Sequence, residues 1–274
     1  MLSSLCHPYE RVARTCASFC IILAGLLLLL SGARGRQKPP TVGPAERSIK
    51  AFQAGEFLSY DISWSGMMRA GSAVMEVRSE ALPDGREALR FSVTYHTAGI
   101  VDRLYRMGDA IQSVFDPETM QSLSFSLRQK HGKKTRRRDI VFDHERKQAT
   151  IRLNDDPPET VVIPPEVQDP LTSLYYLRTR EDFSPARPII FKAFNNDKVW
   201  DIEFQTLGRE RVKTPAGAFE TIKVRASRGL FTGEGEVLLW LTDDVRKIPV
   251  LIKSKVPVGS LVFTLTSMKP GVDS

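Results

Sequence analysis

Three histidines and one dense run of cations are the first places to look for chemistry in this 274-residue chain. A nucleophilic enzyme sets a serine or cysteine within reach of a base. Beyond the amino-terminal segment the bases on offer are His96, His131 and His144. His131 and His144 fall at expected hairpin tips, where an imidazole is simply solvated. His96 falls on the polar face of a strand, beside Thr94. No G-x-S-x-G elbow accompanies them. A hydrolase of an envelope polymer, with His96 in a triad, is therefore the weakest of the functional readings. A metal site fares no better: three scattered histidines lack ligand spacing, and no H-E-x-x-H or calcium loop occurs. The acidic pairs Asp155-Asp156 and Asp243-Asp244 stand where turns are expected. Gly233-Glu234-Gly235 lacks the third glycine and the following helix of a phosphate loop. The sequence assigns no catalytic residue, no metal and no cofactor, and the expectation is a protein that is not an enzyme.

The cations are the strongest local signal. Arg128, Lys130, Lys133, Lys134, Arg136, Arg137 and Arg138 surround one expected hairpin. Arg136 and Arg138 share strand parity with Ile140 and Phe142, while Arg137 points the other way. Charge on both faces implies a tip that projects beyond the core. Such a tip either protects a sheet edge or contacts an anionic surface, meaning lipid head groups or phosphorylated polysaccharide. Nucleic acid is disfavoured as a partner, because no aromatic row interleaves the cations to stack bases and the chain carries an export signal.

That signal is read from composition. Arg11 and Arg14 precede an apolar run over residues 19–30, and Ser31-Gly32-Ala33 offers small residues for cleavage. The run is shorter than the ~20 residues that cross a bilayer as a helix, so residues 1–33 are expected to be a cleavable secretory signal peptide, and an anchor if they are retained. Cys6, Cys16 and Cys20 all precede the cut, so the exported chain is expected to have no disulfide, thiolate ligand or cysteine nucleophile. Residues 34–54 read as a flexible tether, 55–268 as a single β-rich domain, and 269–274 as a tail.

The elements that position these residues are mostly strands. Leu58, Tyr60, Ile62 and Trp64 alternate with Ser59, Asp61 and Ser63, the period of a half-buried strand. About fourteen such segments recur at the spacing of sandwiches and barrels, with no helical crossovers between them. One stretch breaks the pattern. Asp169 can cap a first turn, Pro170 suits the first helical position, and Leu171, Leu174, Tyr175 and Arg178 then fall at helical spacing. The expected fold class is all-β for the most part: a large curled antiparallel sheet, or open barrel, with one short amphipathic helix across its mouth. An outer-membrane barrel is disfavoured, since the rows Ser59, Asp61, Ser63 and Arg90, Ser92, Thr94 want water rather than lipid.

Several short motifs recur in a fixed order: Gly55-Glu56-x-Leu58-x-Tyr60, Ala70-Gly71, Gln168-Asp169-x-Leu171-x-Ser173-x-Tyr175-x-Leu177-Arg178, Thr214-Pro215-x-Gly217-x-Phe219, Trp240-Leu241-Thr242-x-Asp244 with Ile248-Pro249, and Gly259. In this order they resemble the bacterial exported domain-of-unknown-function family 3108, over roughly the whole expected fold. The resemblance implies an exported β-rich protein of Gram-negative-type envelopes, shaped like the half-barrel lipid carriers of the periplasm. It implies no reaction and carries over no catalytic residue.

The leading expectation is thus a periplasmic binding protein for an apolar or amphiphilic, lipid-like envelope ligand. Its partners would be a lipid or anionic glycolipid, with peripheral membrane contact. Arg178 either complements the helix end or, with Tyr175, meets the ligand at the mouth. The rival is a structural or assembly factor of the envelope that acts through another protein.

Overall fold

The computed structural model describes residues 49–99, 102, 107–132, 134–226, 236–255 and 259–271. The expected signal peptide, Lys133, Gly233-Glu234-Gly235 and most of an ambiguous crossing at 100–107 lie outside these residues. Fourteen strands follow one another: β1 (Phe57–Trp64), β2 (Met68–Ala81), β3 (Glu87–Thr97), β4 (Met107–Asp116), β5 (Gln121–His131), β6 (Lys134–Asp143), β7 (Gln148–Leu153), β8 (Glu159–Val162), β9 (Ile189–Asn195), β10 (Lys198–Thr214), β11 (Gly217–Ala226), β12 (Val237–Thr242), β13 (Pro249–Lys255) and β14 (Ser260–Lys269). The helix α1 (Pro170–Arg178) separates β8 from β9. The mostly-β, antiparallel fold read from the sequence is the one observed, with α1 the one helix named among the described residues.

All fourteen strands form one sheet, in the order β8-β7-β6-β5-β4-β3-β2-β1-β14-β13-β12-β11-β10-β9. Two meanders therefore run outward from the centre, where the first strand pairs with the last, Leu58 lying between Met75 of β2 and Met268 of β14. Both outer edges come from the middle of the chain, β8 on one side and β9 on the other. Such a long twisted sheet curls, and here edge strand β9 is brought against β6, two strands in from the opposite edge. Phe194 has the opposite parity to Ile189, Phe191 and Ala193, which enter the main core. It packs edge-on against Phe142 of β6, with ring centres 6.0 Å apart, inside a second cluster with Ile140, Ile151 and Val167. The two-residue turn after β9 holds Asn196 and Asp197 at φ 51° and 60°, a left-handed conformation these residues tolerate. That turn delivers Asp197 to an ion pair with Arg138 of β6. The edge of β9 is further covered by Gln168, which bridges in parallel to Ala193.

The domain boundaries move outward. Ala51 and Phe52 are buried in the main core, Phe52 at 3 % exposure, and the ring of Phe52 meets Phe91 and Tyr175 edge-on at 5.3 and 5.1 Å. Gly55 donates its amide to Val77. The folded domain thus begins within the segment expected to be a tether. A lone phenylalanine with no periodic partners gave no strand or helix signal, although its burial is worth about 1.5–3 kcal/mol. At the other end β14 runs to Lys269, and a side chain on Gly271 would stand 2.7 Å from Gln53, so the tail is also in contact with the fold.

Candidate functional site

The concave face is occupied by α1. Asp169 accepts hydrogen bonds from the amides of Leu171 and Thr172 at 2.7 and 3.0 Å, while the Asp169 amide donates to the Thr172 hydroxyl. This is a reciprocal cap. The same carboxylate also accepts from the hydroxyls of Ser113 (2.8 Å) and Ser122 (2.5 Å), which fixes the helix start to β4 and β5. Burial pushes the Asp169 carboxyl above the usual range, against these four hydrogen bonds.

At the other end of α1, Arg178 forms two parallel hydrogen bonds with Glu56, both at 2.7 Å. It also donates to the carbonyls of Ala51 and Arg246. Its guanidinium carbon lies 5.1 Å from the Tyr175 ring centre and 5.4 Å from that of Phe52. Burial alone would push its pKa down, but the adjacent Glu56 carboxylate reverses this and keeps it charged. Tyr175 stacks on Phe91 with ring centres 3.7 Å apart. Both residues are fully buried. The structure therefore corrects their placement as ligand contacts at an open mouth. They are core groups: Glu56 and two backbone carbonyls occupy the guanidinium of Arg178, and the Tyr175 ring packs in the aromatic cluster while its hydroxyl has no hydrogen-bond partner among the described residues.

The cations divide into three groups. Arg138 is buried and committed to Asp197, so it joins β6 to the turn after edge strand β9 rather than meeting a surface; its parity with Ile140 and Phe142 turns it inward. Arg128 and Arg137 point outward and share Asp139, at 2.7 and 2.6 Å. Asp139 is partly buried, which alone would raise its pKa, but the hydrogen bonds from these two arginines hold it below the usual carboxylate range. Lys130, Lys134 and Arg136 have no carboxylate partner among the described residues. The hairpin thus projects less than its charge suggested.

Cross-strand register explains a trough beside this hairpin. One row across the outer face reads Thr94, Ala110, Arg128, Arg137, and the next reads His96, Gly108, Lys130, Thr135. Small residues on β4 form a floor between polar side chains on β3 and long cations on β5 and β6. The resulting open pocket has a volume of about 580 Å³, and Arg136, Asn154 and Asp155 complete its rim. The His96 ring lies over Gly108, where a Cβ would stand only 3.1 Å from Nδ1. The backbone of His96 is pressed as closely on Gly71, where a Cβ would come 2.2 Å from its carbonyl oxygen. Two glycines therefore fix this histidine, which the sequence marked only as a remote base.

A buried polar group escaped the sequence reading. Asp109 accepts from Tyr95 (2.7 Å), Gln129 (3.2 Å) and the Lys130 amide (3.1 Å), and His131 Nε2 lies 3.0 Å away. His131 is thus buried rather than solvated at a tip. The signal was present: Asp109 shares parity with Ile111 and Ser113 on the core face of β4. His144 Nε2 bonds to the Ser122 carbonyl. No group of three or more potential ligands that could hold a metal occurs among the described residues.

Comparison with known proteins agrees with this fold. The family model for proteins of unknown function designated DUF3108 matches residues 59–266. No curated protein matches the chain in sequence. A β-barrel-like protein of domain of unknown function DUF1849 from Brucella abortus is similar in structure, with a TM-score of 0.56 at 13% identity, over 81% of this chain and 100% of that one. Two others align less closely. One is provisionally described as a lipoprotein, from Parabacteroides distasonis (TM-score 0.35, 13% identity, 79% and 96% coverage), and one as an exported protein with a YmcC-like fold, from Bacteroides fragilis (TM-score 0.31, 13% identity, 80% and 97% coverage). The Brucella protein shares the fold; none of the three carries a function across.

Proposed function

This chain belongs to the DUF3108 family of proteins of unknown function, and from that premise we propose that it is an exported, non-catalytic binding protein of the cell envelope, taking an anionic amphiphile at the outside of its rolled sheet. The observation that carries the reading is the basic trough on β3–β6, whose cations exceed the carboxylates that answer them. The concave face is filled by α1 and the aromatic cluster, which shifts the expected ligand from the interior to the outer surface. A second feature supports contact with a lipid surface. Met67 and Met68 stand exposed at the β1–β2 turn, Met67 at 88 %. Register places that turn at the same end of the sheet as the β5–β6 tip, because Gly71 pairs with Thr97, His96 with Gly108, and Gly108 with Lys130. Apolar tips beside cations suit an anionic bilayer surface. The expected signal peptide and the absence of cysteine after residue 20 fit a periplasmic site of action. Among the described residues, no helix is long and apolar enough to cross a membrane.

The test is sedimentation with vesicles, alongside native mass spectrometry and solvent extraction of protein recovered from a diderm host. Phosphatidylglycerol vesicles should pull the protein down, phosphatidylcholine vesicles should not, and added salt should weaken the association. Equal behaviour toward both lipids would overturn the reading. A second reading, a structural or assembly factor, rests on β8, a short edge strand whose Val162 is 79 % exposed. It expects cross-links to another envelope protein concentrated on β8 and lost in Val162→Lys.

A further inference from the structure

Resting on that reading, we infer that the head group received by the trough is a phosphorylated saccharide. The charges set the anionic part. Arg128 and Arg137 share the single carboxylate of Asp139, so together they retain one uncompensated charge, and Lys130 adds to it from the neighbouring row of the same face. A phosphate monoester carries about −1.5 to −2 at neutral pH and three strong acceptor oxygens, and arginine forks match those oxygens two at a time.

The rest of the lining does not suit a bare phosphate. Asp155 sits on the rim, and a carboxylate repels an anion but accepts hydrogen bonds from hydroxyls. Thr94 stands beside Ala110 on the β3 side of the floor, and Thr135 ends the next row beyond Lys130 on β6. Asn154 uses its side-chain oxygen to accept from the Arg137 amide at 2.9 Å, which turns its NH2 group outward as a donor. The His96 ring, held flat over Gly108, adds a further polar edge. Cations along the middle, with hydroxyl-reading groups on both flanks (Thr94 and His96 on β3, Asn154 and Asp155 beyond β7), describe a ligand with a phosphate on a polyol ring. The volume, about 580 Å³, lies in the range of small-molecule pockets and exceeds what inorganic phosphate alone would fill.

Calorimetric titration of the exported protein, recovered from the envelope of a diderm host, decides the matter. The probes are glucose 1-phosphate, inorganic phosphate and glucose. Glucose 1-phosphate should bind saturably and at least tenfold tighter than inorganic phosphate, with glucose too weak to measure. Lys130→Ala combined with Arg128→Ala should weaken glucose 1-phosphate about tenfold. Asp155→Ala should bring the two phosphates toward equal affinity. Ala110→Leu fills the floor without altering charge, and should abolish the preference while thermal melting stays unchanged. Equal affinity for the two phosphates in the unmodified protein, or no saturable binding, would overturn the inference. If phosphatidylglycerol vesicles still bind, only the saccharide assignment falls; if they also fail, the proposed function falls with it. Vesicles doped with a phosphorylated glycolipid such as lipid A identify the source. Displacement of glucose 1-phosphate by these vesicles at much lower head-group concentration points to a lipid-borne sugar, and the converse to a free one.

Discussion

At the scale of single residues, two of the buried carboxylates, Glu56 and Asp169, hold the two ends of α1. Glu56 and Arg178 neutralise each other across 122 positions of sequence. Replacing Arg178 by leucine alone leaves a carboxylate without its partner in the core, and the expected loss is about 3–5 kcal/mol in chemical denaturation. Adding Glu56→Gln should restore a large part of that loss, which a merely steric role for Arg178 would not allow. Asp169 offers a contrast within one side chain. Alanine there removes a helix cap, about 1–2 kcal/mol, and also strands the hydroxyls of Ser113 and Ser122. Asparagine should cost less, because those hydroxyls can turn round and accept. The pH dependences of Asp139 and Asp169 run in opposite directions. Asp139, held low, contributes stability at neutral pH that is lost as the pH falls through its depressed folded value. Asp169, held high, contributes stability that is complete below the ordinary carboxylate value and lost as the pH rises through its raised one. Urea midpoints measured across pH should therefore flatten below the ordinary carboxylate value in Asp139→Asn and above it in Asp169→Asn.

At the scale of elements, local chemistry was legible and long-range chemistry was not. Asp169 and Pro170 announced α1 because capping depends on neighbours in sequence. The alternation of Leu58, Tyr60 and Ile62 announced β1 for the same reason. Parity also separated Arg137 from Arg138, yet could not tell that Arg138 would meet Asp197 once the sheet had rolled. The burial of His131 was likewise hidden, since its partner Asp109 lies on another strand. The trough needed cross-strand register, which no single strand encodes: Gly108 and Ala110 become a floor only when Lys130 and Arg128 stand opposite. Phe52 shows the cost of ignoring an unpatterned aromatic. Phe52→Ala should lower stability by about 3–5 kcal/mol, measured by urea denaturation, whereas a residue in a true tether would change nothing.

At the scale of the whole molecule, the roll of the sheet determines which face is available. The helix and the aromatic stack take the inner face, and binding is left to the outside and to one rim. Met67→Ser with Met68→Ser should weaken association with phosphatidylglycerol vesicles severalfold while leaving glucose 1-phosphate binding in place. Sedimentation and calorimetry on the same preparation would separate the two surfaces. Edge strand β9 is restrained against β6 by Arg138 with Asp197 and by Phe142 with Phe194. Asp197→Ala should therefore loosen β9 from β6, seen as faster amide hydrogen exchange in β9 before any other strand.

The pairing of β1 with β14 bears on the order in which the molecule can be made. The Thr266 hydroxyl bonds to the Ser59 carbonyl across 207 positions, and the Tyr60 hydroxyl to the Pro249 carbonyl across 189. A chain emerging from its amino terminus meets the seam at the start and cannot stitch it until nearly everything else has arrived. Each meander can zip along neighbouring hairpins meanwhile, so assembly would proceed as two independent ribbons followed by one late joining step. Distant contacts of this kind slow folding, and during the wait the unpaired margin of β1 is open to the wrong partner. The seam is thus the last part of the sheet to be protected, and the wait for β14 is built into the order of the strands.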